Sequence, residues 1–292
     1  MEIVGKREFA TQVRARLQNT TALPPLPELA HDLLRLRNNP HADIDDLASI
    51  IKRDPSLAAQ VMRQAKMGIY GYGDRLTSIE QAISLVMGFE NALFMTLGIA
   101  SGKFLNTPNT GPLARQSIWQ QALATAALAQ QLSTLVDKKI RPSSGLCYLS
   151  GLLHNFGYFL FGHWYPEHYN YLNKLIEAHP EDDIRDLELH AFGITHDMVG
   201  TWLLRAWNMP PEVITAVSEH HFPDFGGENA IYPKLVAIAN RMLGNPGMKD
   251  SCAYLDTDAL LESIGIDHIK AEDALEKVKK CLPQFREVAG QM

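Results

Sequence analysis

The segment DPSLAAQVMRQAK, Asp54–Lys66, carries the start and the face of a helix within itself. Asp54 ahead of Pro55 puts a side-chain acceptor at the N-cap, and a residue lacking an N–H at the first helical position, where that lack does no harm. Leu57, Val61 and Ala65 then recur every four residues and share one face. The spacing predicts a helix from Pro55 to about Lys66. Beyond the loop marked by Gly68, Gly71 and Gly73, either Thr77 with Glu80 or Ser78 with Gln81 forms a capping box. It precedes a second apolar stripe of Ile79, Ala82, Ile83 and Val86. Helical signals recur along the whole chain, while alternating apolar and polar runs are scarce, so the fold class is predicted to be all-α.

The densest cluster of helix breakers is Asn106-Thr107-Pro108-Asn109-Thr110-Gly111-Pro112. It divides an N-terminal helical bundle, residues 1–105, from a second helical unit, residues 113–243. Other loops are expected at Arg141 to Gly145, Pro223 to Glu228 and Gly244 to Lys249. Patterning resumes in Thr257 to Ile264 and Ala271 to Leu282, giving a C-terminal helical extension over residues 250–292.

At 292 residues, 46% of them hydrophobic and 21% charged, the chain has the makeup of a globular protein with a sizeable core. A net charge of -6 with no basic block argues against nucleic acid as a partner. Cys147, Cys252 and Cys281 lie far apart without a C-x-x-C pair, which suggests reduced thiols and a cytoplasmic setting. Charges at Glu2, Lys6, Arg7, Glu8, Arg14 and Arg16 leave no room for a signal-peptide core and suggest an amphipathic first helix. Ala82 to Ala100 approaches spanning length, but Glu90 and Asn91 interrupt it, so a buried helix pair is expected and no membrane partner.

Of eleven histidines, four stand out. On the helix opened by Thr195, His196 shares a face with Val199, Gly200 and Leu203. His220 and His221 continue the stripe set by Val213, Ile214 and Val217, and His154 lies in the apolar run Gly151-Leu152-Leu153-His154-Asn155-Phe156-Gly157. Imidazoles converging from separate helices are a common way to hold iron, manganese, zinc or nickel. Hydrolysis also needs anionic ligands, and the polar neighbours Asn155 and Asn240 are neutral amides. A buried hydrogen-bond network that only specifies packing would satisfy the same pattern. The string Gly68-Ile69-Tyr70-Gly71-Tyr72-Gly73 follows a helix instead of a strand and reads as a turn, not a phosphate loop. No serine lies in a nucleophile elbow. Asp197, in the first turn of its helix, suits the helix dipole.

These strings, in this order, resemble the HDOD domain, a bacterial signalling relative of the HD and HD-GYP metal-dependent phosphohydrolases. The resemblance runs from Leu23-Pro24-Pro25-Leu26-Pro27 through Asp54-Pro55-Ser56-Leu57, Trp119-Gln120-Gln121 and the His154 run. It continues through Glu188, Phe192-Gly193 and His196 to Trp207, Met209-Pro210 and His220-His221-Phe222-Pro223. It implies an N-terminal bundle packed on an HD-like helical unit, with regulatory roles and generally no catalysis. Residue by residue, Gln121 stands at an expected histidine, His154 with Asn155 at the HD doublet, and Asn240 at the last aspartate. His196, His220 and His221 match additional histidines of the HD-GYP branch. The resemblance thus implies a degenerate metal site with no catalytic residue assigned. A regulatory protein would then bind a partner protein or a small signalling ligand without turnover, and pairing with a second copy stays open. The alternative is a divergent metal-dependent phosphohydrolase using the four histidines and an acid such as Glu188.

Overall fold

A computed structural model describes residues 3–18, 23–244 and 256–292. Among these residues the regular structure is helical and no strand forms. The first half contains α1 (Ile3–Gln18), α2 (Glu28–Arg37), α3 (Ile44–Lys52), α4 (Pro55–Ala65), α5 (Ile79–Gln81) and α6 (Phe89–Gly102). Then come α7 (Arg115–Leu135), α8 (Ser144–Leu153), α9 (Phe156–Trp164), α10 (Pro166–Ala178), α11 (Ile184–Phe192), α12 (His196–Ala206), α13 (Pro211–Glu219) and α14 (Ile231–Leu243). The chain closes with α15 (Thr257–Ser263), α16 (His268–Lys280) and α17 (Leu282–Ala289). Cys252 and the expected loop beyond Gly244 lie outside the described residues.

The helix α4 begins as its sequence directs: the Asp54 side chain accepts from the Leu57 N–H at 3.0 Å, with Pro55 at the first position. Leu57, Val61 and Ala65 are buried. Of the two capping options, Ser78 is the N-cap, accepting from the Gln81 N–H at 3.2 Å, while Gln81 Oε1 accepts from Thr77 N–H. The stripe that follows is not a plain α-helix. Ala82–Met87 winds as a π-turn closed by Gly88 N–H to the Ile83 carbonyl, 2.8 Å. The wider turn buries Met87 and leaves Val86 only partly covered. Gly88, at φ +75°, separates this turn from α6, whose residues Ala92 to Gly102 are all buried. The pair is core structure, and none of the described helices is long and apolar enough to cross a membrane.

Two expected boundaries shift. Ser143 caps α8, so Ser144 and Gly145 are helical and not loop. The C-terminal pattern ending at Leu282 is cut at Cys281 into α16 and α17, because Pro283 has no N–H and fits only the start of a new helix.

At the centre, α7 and α8 pack along each other, with α6 and α13 against α8 and with α14, α16 and α17 against α7. Every residue from Gly145 to Leu153 is buried, as expected of a helix apolar on all sides. Gly151 makes the approach: a Cβ there would fall 2.7 Å from the Ala126 Cα. The apolar core is continuous from Val13 on α1 to Ala289 on α17.

Candidate functional site

The four histidines sit at helix ends, each aimed inward by the buried face it completes. His196 opens α12 and is buried with Val199, Gly200 and Leu203. His220 ends α13 and His221 follows it, while His154 ends α8, and all three are buried. Three of the Nδ1 atoms meet an acceptor: His196 the Glu188 carboxylate at 2.7 Å, His220 the Val217 carbonyl at 2.9 Å, and His154 the Gly151 carbonyl at 2.7 Å. Carboxylates and carbonyls only accept, so these rings carry their proton on Nδ1 and, when neutral, offer a lone pair at Nε2.

Three Nε2 edges converge. His196 Nε2 lies 3.1 Å from His221 Nε2 and 3.4 Å from His220 Nε2. His221 can donate from Nε2 across the shorter gap, but the 3.4 Å approach joins two acceptors, and it is comfortable only with a proton or a cation shared among the rings. Tetrahedral nitrogen ligands at about 2.0–2.1 Å from one ion lie about 3.3 Å apart, so His196, His220 and His221 fit a single divalent transition metal ion, which would supply a Lewis-acidic centre. His154 stands to one side, its ring edge-on to His220 with centroids 5.2 Å apart. The structure brings three of the four together as one ligand group, with the fourth adjoining.

Around the rings lies a layer the sequence only partly disclosed. Glu188 on α11 is wholly buried; Oε2 accepts from the His196 backbone N–H at 2.8 Å, and Oε1 takes the ring N–H and the Tyr158 hydroxyl. Tyr158 also stacks on His196, centroids 4.3 Å apart. Asp197 does more than complement the helix dipole: it is buried and accepts from Arg185 Nε and Nη2 at 3.3 and 3.4 Å, while the Arg185 guanidinium covers the Phe222 ring at 4.7 Å. Burial raises the Asp197 pKa, but His196, Thr195, Arg185 and His221 together outweigh it and hold the carboxyl below its ordinary value. His220 is driven well below the ordinary imidazole value by burial first, then by His221, His154 and His196. Tyr158 and Arg185 carried no signal in the sequence, since their partners lie on other helices, and Gly157 stood in the His154 run without its contact being legible. At Gly157 a Cβ would fall 1.9 Å from the His196 carbonyl oxygen, so only glycine lets α9 and α12 touch backbone to backbone.

The remaining positions form a second group along α7. Asn155 Nδ2 donates to Gln121 Oε1 at 3.4 Å, and one turn further Thr125 Oγ1 donates to Asn240 Oδ1 at 2.7 Å. Amides here satisfy one another and the α7 hydroxyl, with no charge to neutralise or bridge metal ions. The nearby carboxylates are engaged too, Glu188 by His196 and Tyr158, Asp197 by Arg185. Glu188, His196 and Asp197 also place possible ligand atoms close together, but both carboxylates already accept from neighbours, so the trio of imidazoles is the group that fits an ion most readily.

The fold and site define an all-helical protein with a buried histidine centre at the ends of α8, α12 and α13. The HDOD domain family profile matches residues 23–223, and the chain belongs to that family. Among solved structures, a Marinobacter aquaeolei VT8 protein provisionally described as a signal transduction protein is 28% identical. It superposes with a TM-score of 0.81 over 98% of this chain and 66% of its own. An HDOD domain protein of unknown function from Geobacter sulfurreducens shares the fold at 20% identity and TM-score 0.73, covering 99% and 98% of the two chains. So does a Shewanella amazonensis SB2B protein provisionally described as a metal-dependent phosphohydrolase, at 18% and 0.69, covering 98% and 100%. An uncharacterized protein of Treponema pallidum is 28% identical over 75% of this chain, which spans only 41% of that longer protein.

Proposed function

We propose that the protein is a bacterial signal-transduction regulator that binds a partner protein or a small signalling ligand without turnover. The observation that carries this reading is the pairing of Asn155 with Gln121 and of Asn240 with Thr125, 3.4 and 2.7 Å, where metal hydrolysis would call for charged ligands. Losing one ligand or its support weakens metal affinity or activity about 10–100-fold, and two missing charges weaken it further. The decisive assay incubates purified protein with cyclic dinucleotides and nucleotides in the presence of manganese, iron, zinc or nickel. The expected result is no hydrolysis above background; turnover abolished by His154→Ala would overturn the proposal.

A second reading, a divergent metal-dependent phosphohydrolase, draws support from the 3.1 and 3.4 Å separations of the imidazole nitrogens. Elemental analysis separates the two. Two ions of iron, manganese, zinc or nickel per chain in protein purified without chelator would favour the enzyme, whereas one ion on the three imidazoles, or none, leaves the regulator standing.

A further inference from the structure

The first helix rests on a seat of aromatic rings and two histidines outside the imidazole centre. Phe9 of α1 lies flat on the His168 ring, centroids 3.8 Å apart and planes 6° from parallel, and meets Tyr165 edge-on at 5.0 Å. Further along α1, Arg14 donates to the Gly193 carbonyl at 3.4 Å, and the Arg16 guanidinium covers the Trp164 ring at 4.2 Å. Val13 and Leu17 are buried. Gly193 ends α11 at φ +69°, and a Cβ there would fall 2.4 Å from the Ala10 Cβ. The helix α1 thus packs on α11 and α12, over the turn that leads three residues later into His196.

Two independent features make this seat hostile to an added proton. The first is at His163, whose Nδ1 accepts from the Asn106 backbone N–H at 3.3 Å. A backbone N–H only donates, so the neutral ring carries its proton on Nε2. A second proton goes onto Nδ1, against that donor and in the field of Arg16. Burial first, and then the Arg16 charge, holds the His163 pKa below its ordinary value. The second is at His168, where Phe9 excludes water from one ring face and offers no acceptor for a charged N–H. Tyr165 and Phe192 surround that ring with centroids at 6.3 and 6.1 Å. Burial lowers the His168 pKa, and Glu167 pulls the other way by less. Phe9 and Arg16 both belong to α1, so both imidazoles take a proton more readily once α1 has left.

We propose that α1 is a proton-released latch, which stays on its seat while His163 and His168 are neutral and loosens as they are protonated, uncovering the turn between α11 and α12. The sign follows from linkage. Docking is strongest above the ordinary imidazole value of 6.5 and weakens as pH falls below it, because the undocked state binds the extra protons. The latch shares no residue with the imidazole centre, so the inference goes beyond the functional reading above and does not depend on it.

The test is hydrogen exchange of the full chain read by mass spectrometry, comparing peptides of α1 and α8 near neutral pH and about two pH units lower, below the ordinary imidazole value, after correction for the intrinsic rate. The helix α1 is expected to exchange faster than α8 at both values, as local opening requires, and its protection to fall about tenfold on acidification. The double variant His163→Asn/His168→Gln keeps side-chain acceptors that do not titrate, and its α1 protection is expected to change less than about twofold. Arg16→Gln removes the like charge and is expected to make the fall shallower. Arg16 is exposed, so that variant remains decisive if the double variant fails to fold. Exchange of α1 no faster than α8, protection of α1 unchanged with pH, or a fall as steep in either variant as in wild type would each overturn the proposal.

Discussion

Glu188 holds His196 twice, accepting from its backbone N–H at 2.8 Å and from its ring Nδ1 at 2.7 Å, across eight residues and a helix boundary. One carboxylate thus fixes both where α12 begins and how its first side chain is turned. Glu188→Gln replaces one accepting oxygen with a donor that has to face the Nδ1–H, the backbone N–H or the Tyr158 hydroxyl. It is expected to destabilise the fold by about 1–3 kcal/mol, read as a lower urea midpoint with unchanged slope. Stability equal to wild type would show that the pair does not anchor α12.

Gly157→Ala tests the backbone contact between α9 and α12. With a Cβ 1.9 Å from the His196 carbonyl oxygen, the helices have to separate. Overpacking of this kind costs about 1–3 kcal/mol or more, which lowers the melting temperature by several degrees in a domain of this size. Gly226→Ala, where a Cβ meets open space, is the control and leaves melting nearly unchanged.

Acidification weakens the fold from the imidazole side. Burial lowers the pKa of His220 in the folded state, so below the ordinary value of 6.5 the unfolded chain binds the extra proton and the folded chain resists it. Stability is complete above that value and declines as pH falls below it. His163 and His168 are also lowered by burial and act in the same direction. His220→Gln should flatten the decline seen in denaturation from pH 7.5 to 5.5 without removing it; an unchanged slope would assign the effect elsewhere.

Cobalt reports on the three converging nitrogens. Titrated Co²⁺ is expected to saturate at no more than one ion per chain, with the visible absorption of a tetrahedral site, and His196→Ala should abolish the band. Two ions per chain would overturn the reading of one ion held by the three imidazoles.

The helical class and the inward aim of the histidines were legible because both rest on local rules: caps such as Asp54 before Pro55, and four-residue spacing such as Leu57 to Val61. The π-turn at Ala82–Met87 was not, since one added residue per turn leaves the composition and most of the stripe unchanged. Nor was the layer around the imidazoles. Tyr158 reaches Glu188 across 30 residues and Arg185 reaches Asp197 across 12, distances that no periodicity encodes. The spacing could not choose between Thr77 and Ser78 as cap, because either serves until the chain's entry direction is known.

The missing side chain at Gly157 has a mechanical consequence. Where two helices meet through side chains, rotamer changes can absorb a small shift; where backbones touch, they cannot. A displacement of His196 is therefore handed directly to α9, whose preceding residue Asn155 contacts Gln121 on the central helix α7. The imidazole cluster and the middle of the molecule are thus joined by one stiff run of backbone.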